Sequence, residues 1–85
     1  MSNTITVQKA LFAHFNHSSG VSRPGAVWAI RIEGERAGTV MVRTYFTKNI
    51  PDDAEKKAAA DKAVLLVREK LEQGWIPRSE MLEVE

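Results

Sequence analysis

Between Asp52 and Gln73 the chain carries one long helix signal, and no other segment approaches it in strength. Asn49-Ile50-Pro51-Asp52-Asp53 sets a proline beside the first turn and carboxylates where the helix dipole favours negative charge. The run Ala54-Glu55-Lys56-Lys57-Ala58-Ala59-Ala60 consists of strong helix formers. At about 100° per residue, Ala60, Ala63, Val64, Val67 and Leu71 line up as one apolar stripe. Gly74 offers a C-terminal cap, Trp75 and Ile76 are placed to close over the core, and Pro77 prevents continuation. The small alanines at its N-terminal end allow close approach to a sheet, while Val64, Val67 and Leu71 fill a wider gap further along.

The hairpin signal upstream supplies that sheet. Ala26–Glu33 alternates Trp28, Ile30 and Ile32, and Thr39–Thr47 alternates Val40, Val42 and Phe46. Both apolar sets are even-numbered, so facing residues must sum to an even number to share a side. Pairing Ile32 with Val40 and Ile30 with Val42 leaves Glu35-Arg36-Ala37 as a three-residue loop bracketed by Gly34 and Gly38. The opposite face then carries Ala29, Arg31, Glu33, Met41, Arg43 and Tyr45. Ile5–Phe15 fits either a strand or a helix. The β-branched Thr4-Ile5-Thr6-Val7 favours a strand, with Lys9 breaking the alternation. Asn16–Gly25 reads as a polar, mobile loop, and Glu80–Val84 as a short edge strand with Leu82 and Val84 inward.

These segments predict a single α+β domain over residues 1–85. A three-stranded antiparallel sheet, with room for a fourth short C-terminal strand, packs on one long helix in the order β-β-β-α(-β). No stretch approaches the ~20 apolar residues of a membrane span, and Met1-Ser2-Asn3-Thr4 lacks the basic start of a signal peptide. The chain has no cysteine, which excludes thiol nucleophiles, the usual zinc fingers and iron–sulfur clusters, and points to a reducing, cytoplasmic setting.

Chemistry is hard to find. His14 and His17 are the two histidines, and no nearby carboxylate completes a metal-binding set. Ser18, Ser19 and Ser22 lie near His17 without a nucleophile elbow around them. Asp52-Asp53 reads as a helix start, and the glycines form neither a phosphate loop nor a dinucleotide fingerprint. Neither enzymatic activity nor a cofactor is expected.

What remains is surface. Residues 1–50 hold six bases against two acids, and residues 51–85 hold six against nine. The candidate partner surfaces are Arg31, Met41, Arg43 and Tyr45 on the outer sheet face, Arg36 at the hairpin tip and Leu66 on the helix. Leu66 falls nearly opposite Val64, with Ala59 and Ala63 alongside. The leading expectation is a protein-interaction module, with a second copy of the chain as one partner, met through the sheet face, the sheet edge or the helix back. In size and style the chain is similar to accessory proteins of phages and mobile elements that act by binding host proteins. The rival expectation is a weak nucleic-acid binder using Arg31, Arg43, Tyr45, Arg36 and Arg23. The strand–strand–strand–helix order, with Lys56-Lys57 early in the helix, is loosely similar to a double-stranded-RNA-binding domain. That resemblance covers the hairpin and helix alone and implies lysines that grip phosphates. Asp52, Asp53, Glu55 and Asp61 surround them with charge of the opposing sign.

Overall fold

A computed structural model describes residues 3–16 and 20–84. His17, Ser18 and Ser19 lie outside the described residues. The elements are β1 (Asn3–Asn16), β2 (Ser22–Gly34), β3 (Gly38–Tyr45), α1 (Asp53–Glu72) and β4 (Met81–Val84). They form one four-stranded sheet in the order β1-β2-β3-β4, with α1 across one face. β1, β2 and β3 are antiparallel, and β4 runs parallel to β3 after the helical crossover. The α+β architecture is as the sequence implies, and Ile5–Phe15 is a strand. No described helix is long and apolar enough to cross a membrane.

The even-numbered hairpin residues form the core. Ala26, Trp28, Ile30, Ile32, Val40, Val42 and Phe46 are buried against Ala59, Ala63, Val67 and Leu71. Fully burying a side chain such as Ile30 or Val42 contributes about 2 kcal/mol. The Trp28 indole N–H donates to Thr44 Oγ1 at 2.8 Å, so these two buried polar groups satisfy each other. Leu82 and Val84 of β4 pack on the same core from the edge, as expected.

Both ends of α1 are capped by local chemistry. Asp52 accepts the Glu55 N–H at 2.8 Å and an ion pair from Lys48 at 3.0 Å. Those contacts hold its carboxyl below the usual carboxylate range, the Glu55 N–H being the larger cause. Glu55 does not complete a reciprocal box; its Oε2 accepts from Thr47 N and Thr47 Oγ1 and ties the β3–α1 connection to the helix. At the other end Gly74 takes φ +94°, with Gly74 N bonding Leu71 O and Trp75 N bonding Lys70 O. This is the paired closure of a Schellman motif.

Four expectations need correction. The hairpin register is offset by two: Ile30 faces Val40, Trp28 faces Val42 and Ile32 faces Gly38. Parity survives, so every side chain keeps its face, but the loop is wider than three residues. Ser22–Gly25 belong to β2 and pair with Ala13–Asn16, because Arg23 and Gly25 sit beneath aromatic rings of neighbouring strands. Ile76 stays 68% exposed, while Trp75 alone closes over the core. The buried helix stripe keeps Ala63, Val67 and Leu71 of the expected one, but its fourth member is Ala59, with Ala60 and Val64 half-buried at its side.

One feature of β1 was not anticipated. Its register slips between Val7 and Lys9, so Val7 faces Ile30 but Lys9 faces Ala29. A bulge of this kind adds one residue and exchanges the two faces. Ile5 and Val7 therefore pack on the core before it, and Ala10 after it, while Leu11, Ala13 and Phe15 pass to the outer side.

Candidate protein-interaction surface

The outer face of the sheet has no element packed over it among the described residues. Cross-strand register builds it in rows. Lys9, Ala29, Met41 and Met81 lie side by side, and next to them Leu11, Val27, Arg43 and Glu83. Leu11, Met41 and Met81 are 64%, 39% and 45% exposed, which makes the middle of this face apolar and open.

Beyond the apolar rows lies a cluster of rings and charges. The Arg43 guanidinium carbon stands 4.8 Å from the Phe15 ring centroid, and Arg23 stands 5.0 Å from that of Tyr45. The Tyr45 hydroxyl donates to Glu83 Oε2 at 3.0 Å, and Arg43 Nη1 approaches the same oxygen at 3.5 Å. Gly25 is what admits the rings. A Cβ there would stand 3.1 Å from Phe15 Cδ2, 3.4 Å from Tyr45 Cδ1 and 2.5 Å from the Thr44 carbonyl oxygen. Arg43 Nε is buried and has no acceptor among the described residues. At the opposite end Arg31 pairs with Glu33 of the same strand at 3.3 Å.

Arg31, Met41, Arg43 and Tyr45 are thus brought together on one face, and two other candidates are not. Arg36 lies at the hairpin tip, but its guanidinium turns toward the helix. Nη1 donates to Leu71 O at 3.0 Å and to Trp75 O at 2.9 Å. The wider loop gives the side chain its reach, and two carbonyls at a helix C-terminus are a natural acceptor for a cation. Leu66 is half-buried and packs against the core. It lies roughly 160° from Val64 at 100° per residue, yet both flank a stripe centred near Ala63. The leucine left outside is Leu65, 54% exposed.

Several residues of the face escaped sequence reading. Leu11 and Phe15 arrive through the bulge, whose trace was Lys9 interrupting the alternation. Met81 and Glu83 arrive through the parallel pairing of β4, which no local pattern encodes. The face also differs from a simple basic patch. Glu33 and Glu83 offset two of its arginines, and the Phe15 and Tyr45 rings already carry guanidinium groups of the same chain.

Comparison with known proteins adds no relative. No protein-family model, curated protein or solved structure matches this chain. The resemblance to double-stranded-RNA-binding domains therefore rests on element order and Lys56-Lys57. Of these, Lys56 Nζ stands 5.0 Å from the Phe12 ring centroid, directed back onto its own sheet. Among the described residues no three His, Cys, Asp or Glu side chains gather as a metal site.

Proposed function

We propose that the protein is a non-enzymatic interaction module that binds another protein through the outer face of its sheet. The observation that carries this reading is the uncovered apolar centre formed by Leu11, Val27, Met41 and Met81, with Ala29 beneath it. Four strands at about 4.8 Å spacing give a face roughly 20 Å wide, the scale of one side of a modest protein interface. Its residue types suit that role. Met, Phe, Tyr and Arg are enriched at interface centres, and a rim of already paired charges is cheap to desolvate in part.

Capture with the folded protein as bait tests the proposal. Wild type and Leu65→Glu should retain the same bound protein, and Met41→Glu should lose it. Equal capture by all three would remove the outer face from consideration.

A nucleic-acid ligand is the second reading, supported by Arg23, Arg31 and Arg43 sharing this face with Phe15 and Tyr45. It requires oligonucleotide binding that weakens steeply with salt and falls when Arg31 and Arg43 are both changed to alanine. Binding that is absent at low salt, or unaffected by the double change, ends that reading.

A further inference from the structure

The two edges of this sheet are defended very differently. β4 closes one side with four residues that include Glu83, and short or charged edges resist pairing. β1 closes the other with fourteen residues and, among the described residues, has β2 as its single neighbour. Its first half is guarded by the bulge after Val7 and by Lys9. From Ala10 to Asn16 the strand reads Ala-Leu-Phe-Ala-His-Phe-Asn, with no Lys, Arg, Asp or Glu, no proline and no glycine. Among the described residues no main-chain group pairs with its free side, which leaves an extended, uncharged stretch as a template for adding a strand.

Side chains along this edge are also half-finished. Phe12 meets Trp28 edge-on at 5.7 Å and stacks near Phe46 at 6.2 Å, yet remains 47% exposed at the edge of the described sheet. Leu11, on the outer side of the same stretch, is 64% exposed.

We infer that residues 10–16 of β1 pair antiparallel with the same residues of a second copy, joining two sheets into one of eight strands. A second copy fits this edge because the stretch is complementary to itself. A two-fold axis at Ala13 is the register that engages all seven residues and leaves Lys9 outside. It sets Leu11 against Phe15 of the partner copy on the outer side, Ala13 against Ala13, and Phe12 against His14 on the helix side. Aliphatic–aromatic pairs of this kind favour antiparallel strands, and no like charges face each other. The seam is about 24 Å long at 3.4 Å per residue, which places it at the small end of specific interfaces. The dimer is accordingly weak, with dissociation in the micromolar range. This pairing draws Leu11 and Phe15 from the edge of the proposed binding face but leaves Met41 and Met81 clear of the seam, so it would present two such faces side by side.

A charge placed on the axis tests the register directly. Sedimentation equilibrium from about 1 to about 200 µM should show wild type passing from one chain mass to two. Ala13→Lys and Ala13→Glu, each folded by circular dichroism, should remain monomeric because like charges meet at the two-fold. A one-to-one mixture of the two variants should recover the dimer, lysine then facing glutamate. Met41→Glu, on the sheet face, should dimerise as wild type does. A wild type that stays monomeric overturns the inference. So do a variant at Ala13 that still self-associates, a mixture that stays monomeric, and loss of the dimer in Met41→Glu.

Discussion

Replacing Arg36 with alanine separates the structure from the picture of a uniformly basic surface. On the sequence alone Arg36 and Arg31 are two exposed arginines of one hairpin. In the fold Arg36 Nη1 bonds both Leu71 O and Trp75 O, at 3.0 and 2.9 Å, while among the described residues Arg31 reaches the exposed Glu33 at 3.3 Å. A hydrogen bond from a charged donor contributes about 1.5–3 kcal/mol when its partner would otherwise stay buried and unpaired. Here Leu71 O keeps its bond from Gly74 N, and the half-buried site lets water reach the carbonyls, so each bond is discounted heavily. The favourable placement of a cation at a helix C-terminus adds about 0.3–1 kcal/mol. Together these give a loss of about 1–2 kcal/mol for Arg36→Ala, which in a chain of this size lowers Tm by about 5–15 °C. Arg36→Met retains the aliphatic stem and should recover only its packing share. Thermal and urea unfolding of Arg36→Ala, Arg36→Met and Arg31→Ala measure the difference. Hydrogen exchange at Gly74 and Trp75 should quicken in the first two. Arg31→Ala should stay within about 0.5 kcal/mol of wild type. Equal stability for Arg36→Ala and Arg31→Ala would refute the assignment of Arg36 to the helix end.

Other outcomes follow from the packing. Ala63 is fully buried where α1 meets the sheet, so Ala63→Leu should cost about 1–3 kcal/mol in urea unfolding through overpacking. Gly25→Ala drives a Cβ to 2.5 Å from the Thr44 carbonyl oxygen and should cost about 2 kcal/mol, with altered near-ultraviolet dichroism from displaced Tyr45. Asp52 and Glu55 are held below the usual carboxylate range chiefly by the backbone N–H groups of Glu55 and Thr47. Their stabilising contribution is therefore complete above the ordinary carboxylate range and is lost as pH falls through it toward the lower folded values. Asp52→Ala should lower Tm near about pH 7 and differ progressively less from wild type toward about pH 2, as followed by thermal melts.

The helix and the hairpin faces were legible because their signals are local. Pro51, Asp52 and Gly74 punctuate α1, and the even-numbered run from Trp28 to Phe46 names the buried side by parity alone. Parity does not fix register, however, and the two-residue offset came from contacts far off in sequence. Asn3 pairs with Gly34 and its side chain accepts the Arg36 N–H, while Arg36 reaches Leu71, all of which hold the loop open. The bulge at Gln8 was marked only by Lys9. One displaced charge does not reveal that Leu11 and Phe15 exchange faces with Ala10 and Phe12. Of the candidate surface, Arg31, Met41, Arg43 and Tyr45 were readable from alternation. Leu11 and Phe15 depended on a bulge that Lys9 alone marks, and Met81 and Glu83 on the parallel pairing of β4 with β3, which the local alternation of Glu80–Val84 does not fix.

The outer face as a protein-binding surface is tested most directly by comparing captures from an extract of the source cells with three baits. These are wild type, Met41→Glu on the face, and Leu65→Glu on the exposed side of α1, each shown to melt with the same cooperativity. A protein retained by wild type and Leu65→Glu but lost from Met41→Glu is the expected result. Retention by Met41→Glu with loss from Leu65→Glu would contradict the assignment and move the binding surface to the helix.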